Sequence, residues 1–167
     1  MKKPRPPEDP DSDRAAYFLA LRWLSARELS EGQVRERLTR RGYSAKAVDP
    51  AVQKLIQQRT LDDRRCATAV ARTEARIRRR GPRRIMGRLT AMGIARDLAK
   101  EVLAELFGDT EEQDLLEQTL DRRLRGSSVK LKDPNERRKL LGYLVRQGFS
   151  ASAASGLIRK RSREKLE

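Results

Sequence analysis

The segment RIRRRGPRRIMGRLTAMGIA, residues 76–95, combines the strongest basic charge in this chain with a clear helical pattern. Its apolar residues Ile85, Leu89 and Met92 recur at steps of three and four, which places them on one arc of a helix. Pro82, which follows Gly81, suits the first position of that helix, where the missing N–H of proline is not needed. The segment therefore predicts two helices joined at the Gly-Pro pair rather than an unstructured basic tract.

The pattern of this segment occurs three times in the chain. In each copy an apolar residue lies eight positions before a glycine, a leucine lies four before it, and a large apolar residue follows it. Glycine ends a helix at low cost because it adopts the left-handed conformation, so each copy predicts a helix, a glycine turn and a second helix. The steps between copies are roughly 50 residues, which indicates tandem repeats of one unit. The copies are VRERLTRRGYS (34–44), IMGRLTAMGIA (85–95) and LLGYLVRQGFS (140–150), with glycines Gly42, Gly93 and Gly148.

Apolar steps of three and four continue through nearly all of the chain, and no alternating β-branched run is long enough for a strand. The sequence therefore predicts an all-α protein of three tandem three-helix, helix-turn-helix-like repeats. The predicted helices are 13–27, 31–41 and 45–58, then 62–80, 82–92 and 95–107, then 110–125, 134–147 and 151–164. The predicted domains are a disordered, proline-rich lead at 1–12 and repeats at 13–59, 60–108 and 109–167, the last with a basic C-terminal end.

Local signals mark several of the helix starts. Capping boxes are predicted where Ser, Thr or Asp precedes Gln, Asp or Glu by three residues. Pro50 conflicts with a continuous third helix, so that helix is expected to start at Asp49 or to kink there. The predicted boxes are Ser30 with Gln33, Thr60 with Asp63, and Asp133 with Glu136.

The composition narrows the class of function. Lys and Arg number 39 against 24 Asp and Glu, a formal net charge of +15, which attracts polyanions or acidic protein surfaces. With no histidine and one cysteine, His-based catalytic sites, disulfides and zinc clusters are excluded. No apolar run approaches the roughly 18–20 residues that span a bilayer, and no signal peptide is evident. We therefore expect a cytoplasmic protein with no membrane partner, no metal and no cofactor.

The residues that resemble catalytic groups have simpler explanations. Asp62 and Asp63 stand at a predicted helix start, where carboxylates cap free N–H groups, so no enzymatic activity is expected. Cys66 shares a helical face with small and apolar residues and is expected to be a buried thiol. Phe18 and Trp23 lie among leucines and are expected in the core rather than in a base-stacking platform.

The candidate contact surface consists of six arginines on the two helices that meet at residues 81–82. Only Glu74 is acidic between Arg64 and Asp97, so these charges are expected to lack partners within the chain. An ordinary solvated charged face is the alternative interpretation. The six candidate residues are Arg76, Arg79, Arg80, Arg83, Arg84 and Arg88.

Two stretches carry a resemblance to a known family, the RecX regulatory proteins. ALRWLSARELSEGQVRERLTRRGYS (20–44) is similar to the opening RecX repeat, with its leucine-rich helix, Ser-Arg-Arg-Glu-x-Ser-like start and Gly-Phe/Tyr end. TLDDRRCATAVARTEARIRRRGPRRIMGRLTAMGI (60–94) resembles the family pattern Leu-Asp-Asp-x-Arg-x-Ala, then Gly-Pro-x-x-Ile, then Leu-x-x-x-Gly-Ile. The likeness covers about residues 15–107 well and 110–160 more loosely. Cys66 stands where an aromatic is usual, and Gly87-Arg88 replaces a common acid.

The resemblance implies an elongated, curved array of three helical repeats and a regulatory function. RecX-like proteins bind the RecA recombinase, lodge in the groove of its nucleoprotein filament, and restrain ATP hydrolysis and strand exchange. We therefore expect a non-enzymatic, monomeric regulator of the RecA filament, with the six arginines in its contact surface.

A different class of function also fits the charge. The chain could be a direct DNA-binding protein whose helix-turn-helix-like units address single- or double-stranded DNA. The starts of the predicted recognition helices offer few Asn or Gln side chains to read bases, so such binding is expected to be largely non-specific.

Overall fold

The structure is a computed structural model that describes residues 6–108, 111–125, 131 and 133–164. All regular secondary structure in these ranges is α-helical, which confirms the all-α prediction. The nine helices found there are α1 (Asp13–Ala26), α2 (Glu31–Arg41), α3 (Ala45–Gln57), α4 (Asp63–Arg76), α5 (Pro82–Ala91), α6 (Arg96–Leu106), α7 (Glu111–Arg125), α8 (Pro134–Gln147) and α9 (Ala151–Glu164). Eight agree with the predicted bounds to within about a residue at each end, whereas α4 ends four residues earlier than predicted.

The contacts group the chain into two compact units. Unit 1 comprises Met1–Ala69 with Leu89–Leu98, and unit 2 comprises Val70–Arg88 with Ala99–Glu167. Helices α4, α5 and α6 each contribute residues to both units. The predicted lead at residues 1–12 is described only from Pro6 onward.

Unit 1 has a core of small and branched side chains from α1, α2 and α3. Helix α1 packs chiefly against α3 through small side chains, because Ala16 and Ala20 are fully buried. Small residues at these positions let the two helices approach closely, and larger side chains from α2, α3 and the α1–α2 loop complete the core. The larger buried residues are Leu29, Val34, Leu38, Val52 and Leu55.

Helix α3 runs without interruption through Pro50, so the predicted start at Asp49 is wrong. Proline removes only the hydrogen bond to the carbonyl of Lys46, in the first turn of the helix. Both Pro50 and Lys46 are exposed, which leaves that carbonyl accessible to water. Five buried residues on α3 hold the helix against the core, and their burial offsets the single lost bond.

Unit 2 is built around α7, α8 and α9, with α8 packed chiefly against α9. Its largest buried side chain is Phe149, which directly follows the glycine that ends α8. Leu116 and Leu120 of α7 and Leu144 of α8 are also fully or nearly fully buried. The apolar residue after each predicted glycine turn is therefore a core residue, since Tyr43 and Ile94 are buried as well.

The three repeat glycines end their helices as predicted. Their φ angles are +107° at Gly42, +81° at Gly93 and +104° at Gly148, which lie in the left-handed region. The residue after each one donates its N–H to the carbonyl five positions earlier, for example Tyr43 to Leu38 at 3.1 Å. This is the hydrogen bond by which a left-handed terminal glycine closes a helix.

Of the three predicted capping boxes, the one at Ser30 is confirmed, whereas Asp133 caps its helix through the N–H of Asn135 rather than in the predicted box with Glu136. Ser30 and Gln33 form a reciprocal capping box, and the Asp133 carboxylate accepts from the backbone N–H of Asn135 at 2.8 Å. The box at Thr60 is wrong, because α4 begins at Asp63 and its cap is Asp62, which accepts from the N–H of Arg65 at 2.9 Å.

Candidate contact surface

The six candidate arginines all belong to unit 2, at the end of α4, in the following turn and on α5. Their exposure divides them into two groups. Arg79 and Arg80, in the turn between the helices, are half-buried. The other four are exposed to solvent, and they are Arg76, Arg83, Arg84 and Arg88.

The half-buried group is fixed by partners inside the protein. The carboxylate of Glu74 is almost entirely buried and lies 2.5 Å from the Arg80 guanidinium and 2.9 Å from that of Arg78. The expectation that these arginines lack partners is therefore wrong for Arg80. A buried carboxylate requires such pairing, because its charge would otherwise be costly to remove from water.

Two further arginines hold elements of unit 2 together. The Arg79 guanidinium donates to the side-chain oxygen of Gln118 on α7, and that of Arg84 donates to the backbone carbonyl of Arg146 on α8 at 2.8 Å. The β-carbon of Arg84 also lies against Gly148. Both contacts join residues more than 35 positions apart in the chain, which no local sequence pattern indicates.

The remaining arginines have free guanidinium groups. Arg76, Arg83 and Arg88 are exposed, and no side-chain hydrogen bond or ion pair involves them in the described part of the chain. Ile77, which directly follows Arg76, is also 71% exposed. In the described part of the chain the predicted set thus divides into three residues whose guanidinium groups have structural contacts and three whose guanidinium groups have none, although the backbone N–H of Arg83 donates to the Gly148 carbonyl at 3.1 Å.

Helix α5 presents its arginines on one half of its surface. At about 100° per residue, Arg83, Arg84 and Arg88 lie within about 140° around the axis, opposite the buried Leu89. Gly87 lies among them, and a β-carbon there would meet no atom within 4 Å. We call these four residues the α5 basic face. It contains no carboxylate, and guanidinium groups on an open surface bind phosphates or carboxylates.

The two consecutive carboxylates Asp62 and Asp63, in unit 1, bind backbone N–H groups at helix starts. Asp62 caps α4, whereas Asp63 accepts from the backbone N–H of Glu31, at the start of α2, at 2.7 Å. Burial is the main cause of a raised pKa at Asp63, and the bond from Glu31 opposes it. Burial also raises the pKa of the Cys66 thiol to about 11, and this fully buried side chain confirms the predicted structural cysteine.

Neither a metal site nor a membrane span is evident among the described residues. They contain no cluster of three or more His, Cys, Asp or Glu side chains that could hold a metal ion. Likewise, none of the helices described is both long and apolar enough to cross a bilayer.

A contact that recurs between a helix start and the carbonyl before a repeat glycine was not evident from the sequence. In unit 1 the Ser30 hydroxyl, at the start of α2, donates to the carbonyl of Met92, the last residue before Gly93. In unit 2 the N–H of Gly81, at the start of α5, donates to the carbonyl of Gln147, the last residue before Gly148, at 2.9 Å. The start of one second helix thus binds the glycine turn of the next repeat in both units.

Comparisons with known proteins show similarity to the RecX family. The family models of the first and second three-helix domains of RecX match residues 16–55 and 62–103. Regulatory protein RecX of Syntrophotalea carbinolica is 28% identical, over 82% of this chain and 90% of its own length. That of Mycobacterium sp. (strain KMS) is also 28% identical, over 93% and 86%. The crystal structure of RecX from Lactobacillus salivarius has the same fold, with a TM-score of 0.77, 21% identity and coverage of 92% and 97%.

Proposed function

Because this chain belongs to the RecX family of regulatory proteins, we propose that it is a non-enzymatic regulator that binds the RecA nucleoprotein filament. In this proposal, binding inhibits the ATPase and strand-exchange activities of the recombinase. The protein bridges neighbouring recombinase subunits, so that filament extension and the cycling of nucleotide-bound states are hindered.

The observation that carries the proposal is the set of guanidinium groups without partners. Arg76, Arg83 and Arg88 are exposed and unpaired in the described part of the chain. A nucleoprotein filament offers two kinds of anion to them, carboxylates of the recombinase and phosphates of the DNA. The free guanidinium groups of α4 and α5 can bind either kind of anion, since a guanidinium group forms bidentate hydrogen bonds with carboxylates and with phosphates.

The exposed isoleucine favours a protein partner in that filament. Ile77 is 71% exposed and directly follows Arg76. An isoleucine side chain does not bind phosphate. Protein–protein interfaces, in contrast, commonly combine apolar side chains with arginine. We therefore propose that Arg76 and Ile77 contact the recombinase, and that the α5 basic face contacts anionic groups of the recombinase or of the DNA.

The proposal is tested by titrating the protein into a preformed recombinase filament on single-stranded DNA and measuring ATP hydrolysis. The doubly reversed variant Arg83→Glu/Arg88→Glu is expected to need about tenfold more protein for half-maximal inhibition, a loss of about 1.4 kcal/mol in binding. Arg84 is left intact in this variant because its guanidinium binds the Arg146 carbonyl.

The matched control is Arg138→Glu/Arg159→Glu, which reverses two exposed arginines elsewhere in unit 2. It changes the net charge by the same amount and is expected to inhibit nearly as well as the unmodified protein. Equal inhibition by both double variants would remove the α5 basic face from the mechanism. No inhibition by the unmodified protein would contradict the proposal itself.

The second candidate is direct, largely non-specific DNA binding, which the net charge of +15 favours. It is separated from the first by Ile77→Ser. This substitution is expected to weaken binding to the filament but to leave binding to naked DNA unchanged, because isoleucine makes no use of phosphate. Equal binding of the unmodified protein to filament and naked DNA, with a steep salt dependence, would support the DNA-binding alternative.

A further inference from the structure

We propose that the exposed face of α1 binds unpaired bases of a single-stranded nucleic acid, with one aromatic ring as the stacking surface. The face is formed by Arg14, Phe18 and Arg22, and we call it the α1 stacking face. It lies in unit 1, so its residues are distinct from those of the α5 basic face.

Phe18 is exposed although it was expected in the core. It lies two residues from both Ala16 and Ala20, which are fully buried, and so projects from the opposite side of α1. More than half of its surface, 55%, is accessible to solvent. An apolar ring that α1 leaves uncovered is therefore available to a flat partner.

The ring is held in a defined position by its neighbour. Tyr17 contacts Phe18 edge to face, with ring centroids 5.3 Å apart and an interplanar angle of 76°. The Tyr17 hydroxyl donates to the side-chain oxygen of Gln58 at 2.8 Å, and the Lys54 ammonium lies 4.7 Å from the Tyr17 ring centroid. Contacts to α3 and to its C-cap residue Gln58 thus fix Tyr17, and Tyr17 in turn limits the motion of Phe18. A fixed ring loses less entropy when a base stacks on it.

Cations flank the ring on both sides along the helix. Arg14 and Arg22 lie four residues before and after Phe18, and residues four apart are neighbours on a helix surface. The Arg14 guanidinium lies 5.9 Å from the Phe18 ring centroid. Arg22 is exposed, and no side-chain partner for it is present in the described residues.

This arrangement matches the chemistry of a nucleotide in a single strand. A base presents a flat π-face to a ring, while its phosphates attract guanidinium groups on either side. In a duplex each base is covered by its stacked neighbours, so its face is not available to Phe18. A single strand is therefore favoured over a duplex. In a bound single strand the base stacks on Phe18, and the phosphates bind Arg14 and Arg22.

The inference is tested without any recombinase, so its outcome is independent of the proposed function. Binding of the full chain to a fluorescein-labelled single-stranded oligonucleotide of mixed sequence is measured by fluorescence anisotropy, with the same sequence as a duplex in parallel. Phe18→Leu is expected to weaken single-strand binding by about 5-fold to about 150-fold, the range for loss of one stacked base. Duplex affinity is expected to stay unchanged.

Two variants separate stacking from general hydrophobicity and charge. Phe18→Tyr keeps the ring and is expected to bind the single strand nearly as well as the unmodified protein. Arg22→Gln is expected to reduce the slope of log affinity against log salt by about 0.7, the value for one phosphate of a single strand, whereas Phe18→Leu leaves that slope unchanged. The matched control is Val145→Ala, which shortens another exposed apolar side chain.

Circular dichroism verifies that each variant is folded, which is expected because Phe18 is exposed. Unchanged single-strand affinity of Phe18→Leu would overturn the proposal, as would an equal loss on the duplex.

Discussion

Arg80 is joined to Glu74 through both backbone and side chain. Its N–H donates to the Glu74 carbonyl at 3.0 Å, and its guanidinium lies 2.5 Å from the Glu74 carboxylate. These bonds close the turn after α4, in which Arg79 adopts a left-handed backbone with φ of +55°. One buried carboxylate thus holds the beginning of the basic segment in place relative to α4.

We expect Glu74→Ala to lower the free energy of unfolding by about 1–3 kcal/mol. Removal of a buried carboxylate leaves Arg80, which is only 23% exposed, without its anion, and exposed Arg78 loses less because water can solvate it. The measurement is chemical denaturation followed by circular dichroism. Hydrogen exchange is expected to be faster at residues 77–80 than in the unmodified protein.

The control for this prediction is Glu74→Gln, which keeps a hydrogen-bond acceptor but removes the charge. It is expected to lose less stability than Glu74→Ala. A loss below 0.5 kcal/mol for Glu74→Ala, roughly the level of an ordinary surface change, would contradict a structural role for the buried carboxylate.

Gly148 is expected to be among the least replaceable glycines of unit 2. Its φ is +104°, and a β-carbon there would lie 2.6 Å from the backbone nitrogen of Arg84 and 2.8 Å from the carbonyl oxygen of Gly81. Gly148→Ala is therefore expected to lower the free energy of unfolding by more than about 1 kcal/mol, since both the backbone and the packing are strained. Thermal unfolding provides the measurement.

Gly156 is the matched control for Gly148 in the same unit. It lies inside α9, and a β-carbon there would meet no atom within 4 Å. Gly156→Ala is expected to raise the free energy of unfolding by about 0.5–1 kcal/mol, because alanine favours the helix. Equal effects of the two substitutions would mean that the approach between Gly148 and α5 does not matter for stability.

The parts of the fold that depend on local physics were predictable from the sequence. Glycine turns at Gly42 and Gly148 and the capping box at Ser30 follow from residues within one turn of helix, and all three are confirmed. The early end of α4 was not predictable, because it accompanies the pairing of Arg80 with a buried acid. The continuity of α3 through Pro50 was also not predicted. The cost of a proline inside a helix depends on whether water reaches the carbonyl that loses its hydrogen bond, and the sequence does not show this.

The candidate surface was predictable in charge but not in detail. The sequence places an arginine-rich half on α5 by helical spacing alone, and that spacing is observed. It could not reveal that Arg84 binds the distant Arg146 carbonyl, because such contacts depend on tertiary packing. Phe18 was wrongly predicted in the core because its sequence neighbours are apolar. The side of α1 that packs in the core carries Ala16 and Ala20, and Phe18 lies on the opposite side.

Cys66 is expected to resist thiol reagents in the folded protein. Its side chain is fully buried, and its pKa is raised from 9.0 to about 11, chiefly by burial. At pH 8 the thiolate fraction is therefore about a hundredfold lower than in the unfolded chain, and the reagent is excluded as well. Labelling of Cys66 by a chromogenic thiol reagent is followed by the absorbance of the chromophore that the reaction releases. Labelling is expected to be slow in the native protein and fast in denaturant. Rapid labelling of native protein would contradict the burial of this helix face.

Asp63 is expected to make stability depend on pH. Burial raises its pKa above the usual 3.8, so the native state holds this proton more tightly than the unfolded chain does. The free energy of unfolding is therefore expected to fall as the pH rises from about 4 through the native pKa of Asp63. Above that pKa the decrease is complete. The low-pH side is thus where the contribution of Asp63 to stability is most favourable.

The variant Asp63→Asn separates the charge of this residue from its hydrogen bond. Its amide oxygen can still accept a hydrogen bond from the N–H of Glu31, but it has no carboxyl group that titrates. The stability of this variant relative to the unmodified protein is therefore expected to rise with pH and then to level off. Asp63→Ala removes the acceptor from the start of α2 and is expected to cost about 1 kcal/mol. Unfolding free energies measured in denaturant from pH 4 to pH 8 provide the comparison. A constant difference between Asp63→Asn and the unmodified protein over that range would contradict the raised pKa, because only a carboxyl that titrates differently in the two states changes the slope.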